Sequence, residues 1–152
     1  MSLRENRLTR LVTGLLSQGI TPHKVALTLA LGVVLGVNPI IGTSTTLCAV
    51  AAIWLRLNLP LIQLINYLVY PLQILLLIPF VQAGQWLFRE PPLPFNATDI
   101  KAMLAAGLWK AVQTLWSYAL HGMAAWLFLG ALMGLVIYGC SLPLFKRLAR
   151  QR

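Results

Sequence analysis

The sequence predicts an all-α integral membrane protein, made of a re-entrant helical hairpin, two transmembrane helices and interfacial amphipathic helices. Of its 152 residues, 59% are hydrophobic and 10% are charged, against about 25% charged in an average soluble protein. The charges leave three uncharged stretches, 25–55, 57–88 and 111–145, of 31, 32 and 35 residues. Because a transmembrane helix needs about 20 apolar residues, each stretch is long enough to span. The composition excludes a water-soluble enzyme, a disordered tail and a free nucleic-acid-binding domain.

The first uncharged stretch predicts two short helices joined by a turn. Thr21 and Pro22 suit the N-cap and the first position of a helix that ends at about residue 37. An Asn-Pro pair and a glycine within 38–42 then end this helix and form the turn. A second helix is expected over about 43–55.

The length of these helices favours a re-entrant hairpin over residues 22–55. Between the turn and the flanking charges, Lys24 and Arg56, each arm has 13 residues. Such an arm is about 20 Å long, whereas the hydrocarbon core of a bilayer is about 30 Å thick. Each arm would therefore enter the membrane and return to its own side. Two short spans in a thinned bilayer are the alternative.

The turn of this hairpin is a candidate binding site. The second helix starts there, and a helix N-terminus carries partial positive charge and free N–H groups. Four consecutive hydroxyl residues add donors, so an anion or phosphate site is predicted. The alternative is that these hydroxyls only cap and back-bond their own helix. The candidates are Asn38, Pro39, Gly42, Thr43, Ser44, Thr45 and Thr46, with Lys24 and Arg56 flanking the hairpin.

Residues 60–88 are predicted to form one kinked transmembrane helix. A straight helix of this length would measure about 43 Å, and Pro71 is expected to bend it. Polar residues cluster around the bend, and at membrane depth they usually face the interior of a bundle. They could bond helices together or line a substrate path. The site candidates among them are Asn66, Tyr70 and Gln73.

Residues 20–88 form the membrane core of the predicted protein. The segment before this core is assigned to the membrane surface, and the segment after it is assigned to a loop, a surface helix and the last span. Residues 1–19 are predicted to form a basic amphipathic interfacial helix, since leucines recur at helical spacing beside arginines. Residues 89–152 comprise a proline-rich loop, an interfacial helix over 100–117 and a span over about 119–142.

Two glycine pairs predict close helix packing. Gly32-x-x-x-Gly36 lies in the first arm of the hairpin, and Gly130-x-x-x-Gly134 lies in the last span. Small residues at this spacing let helix backbones approach closely. Internal packing and self-association are both compatible with the pattern.

The basic residues predict the orientation. If the hairpin returns to its own side, nine Lys and Arg residues share a face with both termini, and three lie opposite. The positive-inside rule then places both termini in the cytoplasm. The net charge of +9 accordingly indicates anionic lipids as partners, and not nucleic acid.

The remaining residue pattern offers little for catalysis. The acids Glu5, Glu90 and Asp99 all lie outside the uncharged stretches, which argues against a pump driven by a buried carboxylate. No metal cluster or phosphate loop is present in the sequence, so no cofactor or metal is expected. Ser44 and His121 faintly resemble the pair of rhomboid proteases, but the glycine that normally follows the serine is missing and the helices are too few. An enzyme is therefore not expected.

The pattern Gly-x-x-x-Gly-x-x-Pro-x-x-Gly at 32–42, followed by an alanine-rich arm and Arg-x-Asn-x-Pro at 56–60, resembles a bacterial membrane family catalogued as domain of unknown function 2062. The similarity covers about residues 20–88. The family commonly has an Asn-Pro pair where this chain has Tyr70-Pro71. The resemblance implies a small inner-membrane protein, sometimes joined to glycosyltransferase domains in relatives, with a role near lipid or glycan-carrier metabolism.

These observations predict a multi-pass protein that binds or translocates an anionic lipid or a polyprenyl-phosphate-type carrier. The alternative is a non-transporting scaffold or assembly subunit of a membrane enzyme acting on glycans or lipids. A homo-oligomer and a membrane enzyme are the expected protein partners. An ion or small-solute channel is a third hypothesis, and it would require an oligomer because one chain has too few helices for a wide path.

Overall fold

The structure is a computed structural model that describes residues 20–91 and 105–150, together with positions 14, 98, 101 and 102. The described ranges contain helices and turns and no strand, which confirms the predicted all-α class for them. The interfacial helix predicted over residues 1–19 lies outside the described residues, apart from Gly14, which is helical.

Five helices form the described part of the chain. They are α1 (Pro22–Gly36), α2 (Ser44–Trp54), α3 (Leu59–Leu68), α4 (Tyr70–Phe88) and α5 (Leu108–Arg150). By length and composition, α4 and α5 could cross a membrane: they have 19 and 43 residues, and their most apolar windows have mean hydropathies of 1.4 and 2.0.

Helices α1 and α2 form the hairpin that the turn residues predict. The Thr21 side chain caps α1 by accepting a hydrogen bond from Lys24 N (3.4 Å), and Pro22 occupies the first turn. The Lys24 ammonium in turn donates to the carbonyl of Arg56, just after α2 (3.1 Å). Since this bond joins the start of α1 to the end of α2, the two helices run antiparallel.

Helix α3 packs against both arms of the hairpin. The Asn58 side chain caps it by accepting from Leu61 N (2.9 Å). A Cβ added at Gly32 would lie 2.8 Å from Ile65 Cγ2, and one added at Gly36 would collide with Val69. The first glycine pair therefore serves internal packing between α1 and α3.

The bend predicted within residues 60–88 is a break between two helices. Helix α3 ends at Leu68, and α4 begins at Tyr70 with Pro71 in its first turn. Proline has no N–H for the carbonyl four residues earlier, and its ring crowds that carbonyl. Beyond the break, α4 leaves the hairpin arms and packs along α5.

Helix α5 is continuous where the sequence predicts two helices. The expected division at about residue 118 is absent, and one helix runs from Leu108 to Arg150. It follows Gly107, whose φ of +110° ends the preceding turn, and it continues through Pro143. Nothing between 117 and 119 breaks a helix, since this segment has neither proline nor glycine. At 43 residues the helix is about 64 Å long.

Helix α5 runs antiparallel to α4 and then to α1. Three contacts define this course: Gly84 against the backbone of His121 and Gly122, Trp126 Nε1 donating to Val34 O (2.9 Å), and His23 Nδ1 hydrogen-bonded to the Tyr138 hydroxyl (2.8 Å). Gly130 lies against Val34, with 3.2 Å between an added Cβ and Val34 Cγ1. The second glycine pair also serves internal packing.

The hairpin reaches only part of the way along the two long helices. Val37, at the end of α1, is fully buried in a cluster with Phe80 of α4 and Trp126 of α5. Both residues lie in the middle portions of their helices. Since α1 has 15 residues and a length of about 22 Å, the hairpin turn lies beside the midpoint of the bundle.

Candidate binding site at the hairpin turn

Asn38 holds the turn together through its side chain. Its Nδ2 donates to Leu35 O (2.9 Å), and its Oδ1 accepts from Ile40 N (2.8 Å). The Thr43 hydroxyl lies within hydrogen-bonding distance of Asn38 Oδ1 (3.1 Å) and Ile40 O (2.8 Å). Gly42, with a φ of +92°, supplies the left-handed conformation that reverses the chain. Asn38, which is itself fully buried, therefore satisfies turn groups that water reaches only in part.

Gln73 ties the turn to α4. It is fully buried, and its Nε2 donates to the carbonyl of Asn38 (2.9 Å). Pro39 is also buried at this junction. Among the described residues, Gln73 Oε1 has no hydrogen-bond partner. Gln73, which follows the helix break, therefore links α4 to the hairpin turn by a hydrogen bond.

The N-terminus of α2 is not capped by a side chain. Thr43 occupies the N-cap position with helical backbone angles, and its hydroxyl points back into the turn. The first helical hydrogen bond runs from Leu47 N to Thr43 O (2.9 Å). Within the described residues, the N–H groups of Ser44, Thr45 and Thr46 have no acceptor. The alternative that these hydroxyls cap or back-bond their own helix is not seen.

A cavity of about 300 Å³ opens beside this N-terminus. We call it the turn cavity; its lining residues are Ile41, Gly42, Ser44, Thr45, Asn66, Tyr67 and Tyr70. Its lining is mainly apolar, with the hydroxyl residues Ser44 and Thr45 and the two tyrosines among its residues, and none of its lining residues carries a charge. It joins the hairpin turn to the residues that flank the helix break.

Helix α3 positions the first turn of α2 at this cavity. Asn66 is buried, and its Nδ2 donates to Thr45 Oγ1 and Gln63 Oε1 (both 3.3 Å). Gln63 Nε2 donates to Thr45 O (2.9 Å). Asn66 Oδ1 is buried without a partner among the described residues. The side chains of Gln63 and Asn66 therefore hold Thr45 in place, and the Asn66 Oδ1 acceptor remains without a hydrogen bond among the described residues.

The sequence profile of a bacterial family described as "uncharacterized protein conserved in bacteria" (DUF2062) matches residues 6–152. The chain belongs to this family. The match extends well beyond the segment 20–88 that carries the recognisable motifs. No curated protein and no solved structure matches the chain.

In this DUF2062 protein most of the predicted site residues meet at the turn. The cavity is lined by Gly42, Ser44, Thr45, Asn66 and Tyr70, while Asn38, Pro39, Thr43 and Gln73 build the turn beside it. Thr46 is exposed on the same first turn of α2 but does not line the cavity.

Two predicted residues lie elsewhere, and three contributors were missed. Lys24 and Arg56 lie at the opposite end of the hairpin, where the Lys24 ammonium donates to the Arg56 carbonyl. Ile41, Gln63 and Tyr67 were not among the predicted site residues. Gln63 could have been found, because it precedes Asn66 by three residues and so shares its helix face. Ile41 gives no such signal, since an apolar turn residue in an apolar stretch is unremarkable.

Ser44 and His121 belong to different parts of the molecule. Ser44 lines the turn cavity, whereas His121 lines a second cavity near the end of α4 and stacks on Phe88 (ring centroids 4.7 Å apart). The structure does not bring these two residues together in one cavity.

Proposed function

We propose that this DUF2062 protein is a multi-pass inner-membrane protein whose turn cavity binds the phosphate headgroup of an anionic lipid or a polyprenyl-phosphate-type carrier and supports its movement across the membrane. The observation that carries this proposal is the uncapped N-terminus of α2. Three unpaired backbone N–H groups lie in its first turn, and two of the residues that carry them, Ser44 and Thr45, line the turn cavity.

The surface of the helices supports a place within lipid. Large apolar side chains stand far out of the bundle: Ile53 is 74% exposed, Trp54 84%, Leu75 72% and Phe128 76%. Soluble monomers rarely expose contiguous apolar patches of more than a few hundred Å². Contact with acyl chains would remove these side chains from water.

The spacing of the charges supports two full spans. Glu90, just after α4, lines a cavity with Tyr118 of α5, and the next charges along α5 begin at Lys146. Lys146 lies 28 positions beyond Tyr118, which corresponds to about 42 Å of helix. A bilayer including its headgroups is about 40–45 Å thick.

In this arrangement α5 and the α3–α4 segment cross the membrane, and the hairpin is re-entrant. Its arms are too short for the hydrocarbon core, so the turn lies at membrane depth. Backbone groups are tolerated there only when protein or a water-filled cavity surrounds them. The hydrogen bonds of Asn38 and Gln73 meet that requirement for Leu35 O, Ile40 N and Asn38 O, and the turn cavity lies beside the unpaired N–H groups of α2.

The basic residues support an orientation with both termini in the cytoplasm. Lys24, Arg56 and the C-terminal Lys146, Arg147 and Arg150 share one end of the bundle, where α1 and the end of α5 pack together. This end would attract anionic lipids of the cytoplasmic leaflet. In this arrangement Lys24 and Arg56 attract the anionic lipid to the protein and do not bind it inside the turn cavity.

The chemistry of the turn cavity favours a phosphate oxygen as its ligand. A helix N-terminus offers N–H donors and partial positive charge, and hydroxyl side chains add further donors. A phosphate monoester or diester accepts such bonds without needing a counter-charge from a buried lysine. Half-helix N-termini bind anionic substrate groups in the same way in membrane transporters.

Replacing Ser44 by alanine is expected to lower the retention of anionic lipid about tenfold, because one hydrogen bond to a charged group is lost. Ser44 makes no hydrogen bond to its own chain among the described residues, so the fold should be unaffected. Native mass spectrometry of the detergent-purified protein, titrated with phosphatidylglycerol or undecaprenyl phosphate, measures the retention. Thr46→Ala is the matched control, because this exposed hydroxyl lies outside the turn cavity.

Two results would contradict the proposal. One is a purified wild-type protein without tightly bound anionic lipid and with no effect on lipid flipping in liposomes. The other is equal retention by wild type and Ser44→Ala. A stable membrane enzyme that co-purifies with a lipid-free protein would instead favour the scaffold function.

A further inference from the structure

We propose a second headgroup site, at the end of α4 away from Lys24 and Arg56, that binds an ammonium-phosphate zwitterion such as the headgroup of phosphatidylethanolamine. Two adjoining cavities of about 430 and 560 Å³ lie there and share Glu90. We call them together the far recess. They share no residue with the turn cavity, so this site does not depend on the function proposed above.

The larger cavity of the far recess is rich in hydrogen-bond donors. Gln85 is 5% exposed, and its Nε2 is buried without an acceptor among the described residues. An unpaired buried amide N–H is unfavourable, so a ligand acceptor would stabilise it. Arg89 lines the same cavity, and its guanidinium has no carboxylate partner in the described part of the chain. Together these groups suit a phosphate.

The backbone conformation at Arg89 favours glycine, which indicates that the arginine side chain serves binding and not the fold. Arg89 follows α4 with a φ of +55°, and Glu90 N donates to Gln85 O (2.9 Å). This is the glycine position of a helix C-terminal motif. A non-glycine residue is strained there, so nothing in the backbone favours arginine at this position. Its cation also complements the negative end of the α4 dipole.

The smaller cavity is rich in acceptors. The hydroxyl of Thr114 donates to Lys110 O (2.9 Å) and that of Ser117 to Gln113 O (3.1 Å), which leaves both oxygens with lone pairs only. The Glu90 carboxylate lines the same cavity and has no ion-pair partner among the described residues. His121 Nδ1 is buried there without a partner.

Apart from the shared Glu90, the larger cavity therefore offers mainly donors and the smaller cavity mainly acceptors. An ammonium group has three N–H donors and a positive charge, which match Glu90 and the neighbouring oxygens. A phosphate has only acceptors at neutral pH, which match Arg89 and Gln85. Phosphatidylethanolamine carries both groups on one short headgroup. Phosphatidylcholine has no N–H donor, and phosphatidylglycerol has no positive charge.

The test compares these three lipids on the full chain in detergent by native mass spectrometry. Phosphatidylethanolamine is expected to be retained about tenfold better than phosphatidylcholine, since hydrogen bonds to charged groups are lost with the methylated headgroup. Soluble phosphoethanolamine is added as a competitor. The competitor is expected to displace phosphatidylethanolamine, since the headgroup groups fill the far recess, and full retention in its presence would count against a headgroup site there.

Two variants locate the binding. Arg89→Gly is expected to lower phosphatidylethanolamine retention to the phosphatidylcholine level while the protein remains folded, because glycine is preferred at this backbone position. Glu90→Gln is expected to abolish the preference for the ammonium headgroup. Lys110→Gln, which removes a cation from the same end outside the cavities, should change nothing. Equal retention of the three lipids, or unchanged retention by Arg89→Gly, would overturn the proposal.

Discussion

Gly84→Ala is expected to destabilise the protein by about 3 kcal/mol or more, because the added methyl group has no space. A Cβ at this position would collide with the carbonyl of His121 and lie 2.8 Å from Gly122 N. These are backbone atoms of α5, so no side-chain rotation relieves the contact. The two longest helices must move apart, and thermal unfolding in detergent, followed by circular dichroism, measures the loss.

Gly139→Ala is the matched control in α5. A Cβ there meets nothing within 4 Å, and alanine is favoured over glycine within a helix by about 0.5–1 kcal/mol. We expect this variant to be as stable as the wild type or slightly more stable. Equal losses for both variants would show that α4 and α5 do not pack through Gly84.

Asn38→Ala is expected to cost about 3 kcal/mol, because the turn loses the side-chain hydrogen bonds to Leu35 O, Ile40 N and the Thr43 hydroxyl, and Ile40 N is left unpaired. An orphaned buried group costs about 1–3 kcal/mol. The loss should also open the turn cavity, so anionic-lipid retention should fall together with stability. Thermal unfolding and native mass spectrometry measure the two effects.

Asn58→Ala compares the loss of a partly buried cap with the loss of the fully buried Asn38 side chain. Asn58 caps α3 through a single bond to Leu61 N (2.9 Å) and is only partly buried. Loss of such a cap costs about 1 kcal/mol, and lipid retention should be unchanged. Similar losses of stability for both variants would indicate that the turn at Asn38 is open to water.

The hairpin could be predicted because its signals are local. A threonine cap before Pro22 and the Asn-Pro pair before Gly42 act within a few residues, and the observed helices begin and end close to the predicted positions. The helix break at Pro71 was foreseen as a bend for the same reason. The size of the bend could not be predicted, because it depends on the packing of α3 on the hairpin and of α4 on α5.

The course of α5 could not be predicted from local pattern. The amphipathic character of 100–117 indicated a surface helix, but no residue near position 118 interrupts the backbone. Likewise, the Gly-x-x-x-Gly patterns could not distinguish self-association from internal packing. The partners of these glycines, Ile65 and Val34, lie far away in the sequence.

In the candidate site too, residues with local sequence signals could be predicted, and residues brought together by packing could not. The hydroxyl cluster at the start of α2 and the polar residues around Pro71 were each recognised, and the fold brings Ser44 and Asn66 to one cavity. Lys24 and Arg56 flank the hairpin in the sequence, yet Lys24 lies in the first turn of α1, at the end of that helix away from the hairpin turn. The far recess was missed, because Glu90 and the α5 residues around His121 line one cavity only when α4 packs against α5.

Side-specific thiol labelling of Ile41→Cys tests the central claim, a re-entrant turn that builds a headgroup cavity. Ile41 is in the turn and 55% exposed, and the variant is made with Cys48 and Cys140 replaced by alanine and serine. Lys110→Cys and Arg150→Cys calibrate the two faces. We predict that an impermeant reagent modifies Ile41→Cys only from the face of Arg150, and more slowly when anionic lipid is added. Modification from the face of Lys110, or from neither face, would contradict the account.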